Sequence, residues 1–242
     1  MIYLKLLALF LSILLSGFLY DRFSPKGNNF LKLSLAFTGA LLFALCVTDI
    51  LPHTFDHGHS HTIGFYILGG FLLQIVLEFF TKGIEHGHTH LDHSSSFPIT
   101  LMAGLSVHSF LEGMPLAEAL FTEEQTRNSL FFGILLHHIP VAFALMSMLK
   151  HAGLSKIKSY FYLSLFAIMA PLGAIFIQLL GDEFMTSNES FFKYALALVA
   201  GIFLHISTTI LFEANSNHRF NIIKLLTIIA GFAMAIMLSQ LH

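Results

Sequence analysis

Residues 98–121, PITLMAGLSVHSFLEGMPLAEALF, place a histidine, two glutamates and two prolines in a stretch that is otherwise apolar enough for a lipid bilayer. The stretch is slightly longer than the roughly 20 residues that a membrane-spanning helix needs. Asp, Glu and His are costly in the hydrocarbon core, so where they occur they usually face a cavity, a partner or an ion pathway. The segment therefore predicts a membrane protein whose buried polar side chains carry its function.

The composition of the whole chain agrees with this. Of its 242 residues, 55% are hydrophobic and 11% are charged, and the mean hydropathy is +0.76. Eight stretches have the length and polarity of a span: residues 2–20, 31–52, 62–82, 98–121, 129–149, 159–181, 191–214 and 220–241. We therefore expect an all-α integral membrane protein with a single domain, residues 1–242, and two His-rich loops, residues 53–61 and 83–97.

Several other classes of protein are disfavoured. A net charge of -2 gives no electrostatic basis for binding nucleic acid. Cys46 is the single cysteine, so no internal disulfide can form. The first stretch has one lysine and no A-x-A-like cleavage site, which favours an uncleaved helix over a secretory signal.

The basic residues predict an orientation, because cytoplasmic loops of membrane proteins are enriched in Lys and Arg. With the N-terminus outside, nine basic residues fall on the inner side and three on the outer side. The inner set is Arg22, Lys26, Lys32, Lys82, Lys150, Lys156, Lys158, Arg219 and Lys224, and the outer set is Lys5, Arg127 and Lys193. We therefore expect both termini to be extracytoplasmic, in a bacterial inner membrane.

Nine acidic or histidine side chains fall within the predicted spans: Asp49, Glu78, His108, Glu112, Glu118, His137, His138, His205 and Glu213. Among them, His108 and Glu112 are four residues apart, which places them about 40° apart on one helical face. An imidazole nitrogen and a carboxylate oxygen are typical ligands of zinc and related divalent metals. A buried hydrogen-bonded pair that only braces the helices is an equal alternative at this point.

The fifth stretch favours the metal. His137 and His138 are followed by Pro140, and an interior proline removes a backbone hydrogen bond, here freeing the carbonyl of Leu136. Pro115 is expected to act in the same way in the fourth stretch. Two proline-disturbed helices with ligand-type side chains beside each kink are similar to the broken helices that form ion sites in transporters. The pattern indicates an intramembrane ion site rather than kinks needed only for packing.

The segments HSFLEG (108–113) and HHIP (137–140) resemble the paired motifs of the ZIP (Zrt/Irt-like) divalent metal transporters, usually H-N-x-x-E-G and H-E-x-P-[HE]-E. The eight spans, the outward termini and the His-rich loop after the third span match as well, so the resemblance covers the whole chain. It implies a 3+2+3 bundle, in which two triplets of helices are related by an inverted repeat around the fourth and fifth helices. Family members often dimerise, so the resemblance also implies a homodimer.

The resemblance assigns a metal site to four residues: His108, Glu112, His137 and His138. Ser109 replaces the usual Asn and would be a weaker, hydroxyl ligand. Val141 stands where the family normally has His or Glu, and Ala170 where some members have Glu. The resemblance therefore implies a single, simpler site rather than the two-metal site of other members.

Three histidines with one carboxylate favour zinc over magnesium or calcium, which prefer oxygen ligands. Iron(II), manganese, cobalt and cadmium also suit these ligands. We expect no resident cofactor, because the ion is the transported substrate. Imidazoles bind metal only when neutral, so binding should weaken below about pH 6.5.

Further residues are candidates for ion capture or for the pathway. The cytoplasmic loop carries His86, His88, His90 and His93, and alternating histidines of this kind are a compositional signal of metal binding. Asp49 and His53 could line an outer entrance, with Glu118 near the outer mouth, and His205 with Glu213 could line an inner exit. Solvated loops and ordinary hydrogen bonds between helices are the alternatives.

The leading hypothesis for function is a permease that carries zinc or a similar divalent ion into the cytoplasm, and not an enzyme. An intramembrane zinc hydrolase is a second hypothesis, although H-E-x-x-H and G-x-S-x-G are absent and only Ser109 lies beside the histidines. A metal sensor, or a family member that no longer transports, is a third, because Val141 and Ala170 replace ligands.

Overall fold

The computed structural model describes residues 2–23, 29–55, 60–81, 99–117, 124–180, 189–213 and 222–240. This part of the chain is helical apart from short turns, and contains no strand. Its helices are α1 (Ile2–Phe23), α2 (Asn29–Phe55), α3 (Ser60–Thr81), α4 (Ile99–Gly113), α5 (Glu124–His151), α6 (Lys156–Leu179), α7 (Glu189–Glu213) and α8 (Ile222–Gln240). The predicted all-α class is confirmed.

Within the described ranges, seven of these helices are long and apolar enough to cross a membrane. The exception is α4, an α-helix of 15 residues that continues into a 3-10 turn at Met114–Leu116. The full count of eight spans therefore remains a prediction.

Pro115 acts differently from Pro140. It lies in the 3-10 turn, and the backbone becomes extended at Ala117, with ψ of 136°. Proline cannot donate a hydrogen bond to the carbonyl four residues back and its ring crowds that carbonyl, so the α-helix does not continue. The expected kink within the fourth span is wrong in this respect: Pro115 ends α4, whereas Pro140 lies inside the continuous helix α5.

Helix α2 contains a π-helical turn at Cys46–Ile50, closed by the Leu51 N–H bonded to the Cys46 carbonyl. The next residue, Pro52, has no N–H to give to the preceding turn, and a wider turn accommodates this. The extra residue in the turn changes the direction in which Asp49 projects. Nothing in the apolar periodicity predicted this turn.

The helices pack in a pattern with an internal correspondence. Helix α2 packs on α8 as α7 packs on α3, and α1 packs on α5 as α6 packs on α4, while α1–α6 and α2–α7 are also in contact. Exchanging α1–α3 with α6–α8, and α4 with α5, would give these same pairs. The pattern fits the expected triplets, and their inverted relation remains a prediction.

Glycines permit a very close contact between α3 and α7. A Cβ atom on Gly70 would lie 1.8 Å from the carbonyl oxygen of Leu198, and one on Gly201 would lie 1.9 Å from that of Ile67. No side chain fits at such distances, so the two backbones touch directly. Small residues commonly allow this approach between membrane helices, where tight packing replaces the hydrophobic effect.

We expect Gly70→Ala to destabilise the protein, because the added methyl group must push α3 away from α7, and overpacking of this kind costs about 1–3 kcal/mol or more. Thermal unfolding in detergent measures the effect. Gly69→Ala is the matched control, because a Cβ atom at this neighbouring position meets nothing within 4 Å. Equal melting temperatures for the two variants would contradict the direct backbone contact.

Candidate metal site

The structure brings the four predicted ligands together in the interior, between α4 and α5. His108, Glu112, His137 and His138 are each at most 1% exposed. The Glu112 carboxylate lies 3.3 Å from His108 Nε2, 3.5 Å from His138 Nε2 and 3.9 Å from His137 Nε2. Three imidazoles therefore present the same ring nitrogen to one buried carboxylate.

Three of these residues form a compact set of donor atoms. One ligand atom each from His108, Glu112 and His137 lies within 4.8 Å of the other two. Two ligands bound about 2.1 Å from an ion lie ~3.4 Å apart at a tetrahedral angle. Small side-chain rotations would therefore bring this set onto one divalent ion, with His138 beside it.

His138 is held at both ring nitrogens. Its Nδ1 lies 2.9 Å from the carbonyl oxygen of Ile134, and its Nε2 lies 3.1 Å from the Ser109 hydroxyl. Because a carbonyl oxygen only accepts, Nδ1 carries the hydrogen and Nε2 presents a lone pair. Ser109, predicted as a weak ligand, is thus a hydrogen-bond donor to His138 in this structure.

His108 is held by a residue that the sequence analysis missed. The amide oxygen of Gln74, on α3, lies 3.3 Å from His108 Nδ1, and Gln74 is fully buried. Nδ1 therefore donates, and Nε2 faces Glu112 with its lone pair. The available signal was a lone amide in the middle of an apolar stretch, since an uncharged polar side chain is also costly to bury without a partner.

The electrostatics of this arrangement favour a cation. The Nε2 lone pair of His108 points at a carboxylate oxygen of Glu112, which is also electron-rich, whereas Nε2 of His138 accepts the Ser109 hydroxyl. Acceptors that face one another away from water repel, and the low local dielectric strengthens the effect. A cation among them would satisfy all of these atoms at once.

Val141 and Ala170 occupy apolar surroundings, where the family places ligands. Val141 is 1% exposed and follows His137 by one turn of α5, and Ala170 is fully buried in α6. A Cβ atom on Gly113 would lie 2.0 Å from the carbonyl oxygen of Ala170. The backbones of α4 and α6 thus touch one residue after Glu112.

Asp49 and His53 share a polar cavity of about 360 Å³ where the ends of α2 and α8 meet the start of α5. The other lining residues are Thr48, Pro52, Gln125, Thr126, Ser129 and Ser239. Ser239 donates its hydroxyl to Asp49, 3.1 Å from each carboxylate oxygen. The π-helical turn of α2 is part of this wall.

His205, predicted to line an inner exit together with Glu213, is paired with Glu78 of α3. Its Nε2 lies 3.5 Å from the Glu78 carboxylate on α3, and its ring packs edge-on against Phe71. Glu213 ends α7, and its side chain is not among those described. The predicted residues Glu118, His86, His88, His90 and His93 lie outside the described residues.

Fold and site together define an integral membrane protein with a buried histidine–carboxylate centre. The family model described as "ZIP Zinc transporter" matches residues 84–239, and the chain belongs to this family. The resemblance predicted from the two motifs is confirmed.

The chain is similar to three vertebrate zinc transporters. It is 31% identical to "Zinc transporter ZIP9-B" of Xenopus laevis over 167 residues, which are 65% of this chain and 54% of the relative. Identity to "Zinc transporter ZIP9" of Micropogonias undulatus is 32%, over 63% of this chain and 53% of the relative. Identity to "Zinc transporter ZIP1" of Danio rerio is 31%, over 63% and 51%.

The chain spans about half the length of these curated relatives. None of the three comes from a bacterium, so they give no support to the expected bacterial inner membrane. The outward placement of both termini also remains a prediction.

We expect the two histidines of α5 to contribute unequally to zinc binding. His137→Ala removes a member of the compact donor set and should weaken binding by more than the about 10–100-fold typical of losing a surrounding hydrogen-bond partner. His138→Ala should lose less, because His138 lies beside the set. Calorimetric titration of the purified variants with zinc measures both, and equal losses would contradict the assignment.

Proposed function

We propose that this protein is a permease for zinc or a similar divalent transition-metal ion, which binds between α4 and α5. The observation that carries the proposal is the convergence of three imidazole nitrogens on the buried carboxylate of Glu112. Membership of the ZIP family supports it, as do relatives whose names describe zinc transporters. His108, Glu112 and His137 would bind the ion, and His138 would be a fourth ligand or a close neighbour.

The donor set supports zinc as the main substrate. It is richer in nitrogen than in oxygen, which disfavours magnesium and calcium. Iron(II), manganese, cobalt and cadmium accept the same ligands and belong to the proposed range. A mixed set of three or four ligands also fits a site that must release its ion after binding it.

Two polar regions extend this site toward opposite ends of the bundle. The cavity with Asp49 and His53 lies at the end where α4 finishes and α5 begins, which the distribution of basic residues predicts to be outside. The Glu78–His205 pair lies in the opposite half, near the end of α3. We propose that ions enter past Asp49 and leave past Glu78, toward the cytoplasm.

Uptake of zinc by proteoliposomes that contain the purified protein tests the proposal. We expect His108→Ala and Glu112→Ala to abolish uptake, because each removes a ligand from a site of only three or four. His151→Ala is the matched control, since it removes an exposed histidine of α5 and should leave uptake unchanged. Wild-type rates in both ligand variants would reject the site.

A member of the family that binds metal without transporting it is the second candidate, and the apolar side chains of Val141 and Ala170 favour it. Zinc binding without flux in the same vesicles would select this candidate.

We expect Val141→Glu to bind zinc more tightly, because it adds a carboxylate one turn after His137. Calorimetric titration measures the change, and Ala142→Glu on the same helix is the control for introducing a buried charge. Equal effects of the two substitutions would show that position 141 does not face the ion.

A further inference from the structure

The imidazoles of His108 and His138 are oriented in different ways. His138 donates from Nδ1 to the carbonyl of Ile134, which belongs to its own helix and is one turn away. His108 donates from Nδ1 to the side chain of Gln74, which belongs to a different helix, α3. A substitution can therefore remove the partner of His108, but not the backbone partner of His138.

We infer that Gln74 is a positioning residue for the metal site and that it acts by selecting the tautomer of His108. This inference rests on the proposed function, because it assigns Gln74 a role toward the same ion. Histidines that bind metals commonly donate their second ring N–H to a carboxylate or carbonyl oxygen, which fixes the ring and makes the ligand nitrogen more basic. The amide oxygen of Gln74 supplies such an acceptor to His108.

The competing tautomer explains why the acceptor matters. His108 Nε2 lies 3.3 Å from a Glu112 oxygen. If the hydrogen were on Nε2, it would bond to this carboxylate, and the ligand atom of His108 and one oxygen of Glu112 would be occupied together. Placing the hydrogen on Nδ1 keeps both atoms available to an ion, and Gln74 stabilises that form.

Burial strengthens the preference that Gln74 gives to the Nδ1–H tautomer of His108. Gln74 is fully buried and His108 is 1% exposed, so bulk water does not reach His108 Nδ1 to replace the amide oxygen as acceptor. A buried donor that loses its partner carries the full cost of desolvation. Without Gln74, the Nδ1–H form would pay this cost, and the form that bonds Nε2 to Glu112 would be preferred.

The contact also joins metal affinity to the packing of two helices. Helix α3 lies close to α4 at Gly104. A Cβ atom added to Gly104 would lie 2.7 Å from Thr81 Cγ2 and 3.3 Å from the carbonyl oxygen of Leu77. Gln74 reaches His108 only while this contact holds the two helices in register. A shift of α3 along α4 would break the hydrogen bond between Gln74 and His108, so the Nδ1–H tautomer of His108 would no longer be favoured. The tautomer of His138 would be unchanged.

Nitrogen-15 NMR of histidine-labelled protein at about pH 8 tests the inference, because the two neutral tautomers give distinct ring-nitrogen shifts. The His108 signal is assigned by its loss in His108→Gln, and His138 is the internal reference. In the wild type without added metal, we expect the hydrogen of both rings on Nδ1. In Gln74→Met, which keeps the length of the side chain but removes the acceptor, we expect His108 alone to move toward the Nε2–H form.

Zinc titration of the same proteins gives the second readout. Gln74→Met should weaken binding by about 10–100-fold. Gln74→Glu restores an acceptor oxygen and should recover the Nδ1–H form and most of the affinity. Thr81→Val is the matched control, since it keeps the methyl group that faces Gly104, removes only a hydroxyl that donates within α3 and should change neither readout.

A wild-type His108 with its hydrogen on Nε2 would overturn the inference, even if Gln74→Met failed to fold. An unchanged His108 tautomer in Gln74→Met would also overturn it, because any loss of zinc affinity in that variant would then come from altered packing. The tautomer is measured without metal, so this result does not depend on whether the protein binds or transports zinc. Absence of zinc binding by the wild type would reject the proposed function, and with it the role of Gln74 toward the ion.

Discussion

The site depends on the carboxylate of Glu112, which is fully buried in a membrane protein. A charge in such surroundings is costly unless hydrogen bonds or a counter-charge compensate it. Three imidazoles from two helices surround it, and each presents Nε2. Because the neutral imidazole of His108 faces this carboxylate with a lone pair and supplies no charge, the arrangement is best compensated by a cation.

The backbone around Glu112 is arranged so that this cluster can form. Gly113, the next residue, lets α4 touch α6 at Ala170. Gly173 on α6 does the same from the other side, because a Cβ atom there would lie 2.0 Å from the carbonyl oxygen of Phe110. Pro115 ends the helix two residues later, which leaves α4 short. His108 and Glu112 of α4 are therefore held between α6 on one side and the histidines of α5 on the other.

Different polar side chains lie toward the two ends of the bundle. A cavity with Asp49 held by Ser239 lies at one end, and the Glu78–His205 pair lies toward the other. Gln74 and Glu78 are four residues apart on α3, so they share one face of that helix. Gln74 contacts a ligand of the proposed ion, and Glu78 contacts His205, so α3 connects the central site to the Glu78–His205 pair.

The sequence alone determined the class of protein and identified the four residues that meet at the centre. Apolar length sets the helices, because a bilayer demands about 20 apolar residues per span. The cost of polarity in lipid singles out nine side chains, and the resemblance to the ZIP motifs narrows them to His108, Glu112, His137 and His138. Their chemistry indicates a divalent metal, and spacing along one helix pairs His108 with Glu112.

Only the tertiary structure decided which atoms meet across helices. Gln74 is an ordinary amide until α3 packs on α4, and its bond to His108 Nδ1 crosses 34 residues of chain. His205 is paired with Glu78 by the close approach of α3 and α7, which Gly70 and Gly201 allow. The π-helical turn at Asp49 and the ending of α4 at Pro115 depend on local backbone geometry that apolar periodicity does not encode. Helix formation follows from local patterns, whereas tautomers, partners and cavities follow from contacts between segments distant in the chain.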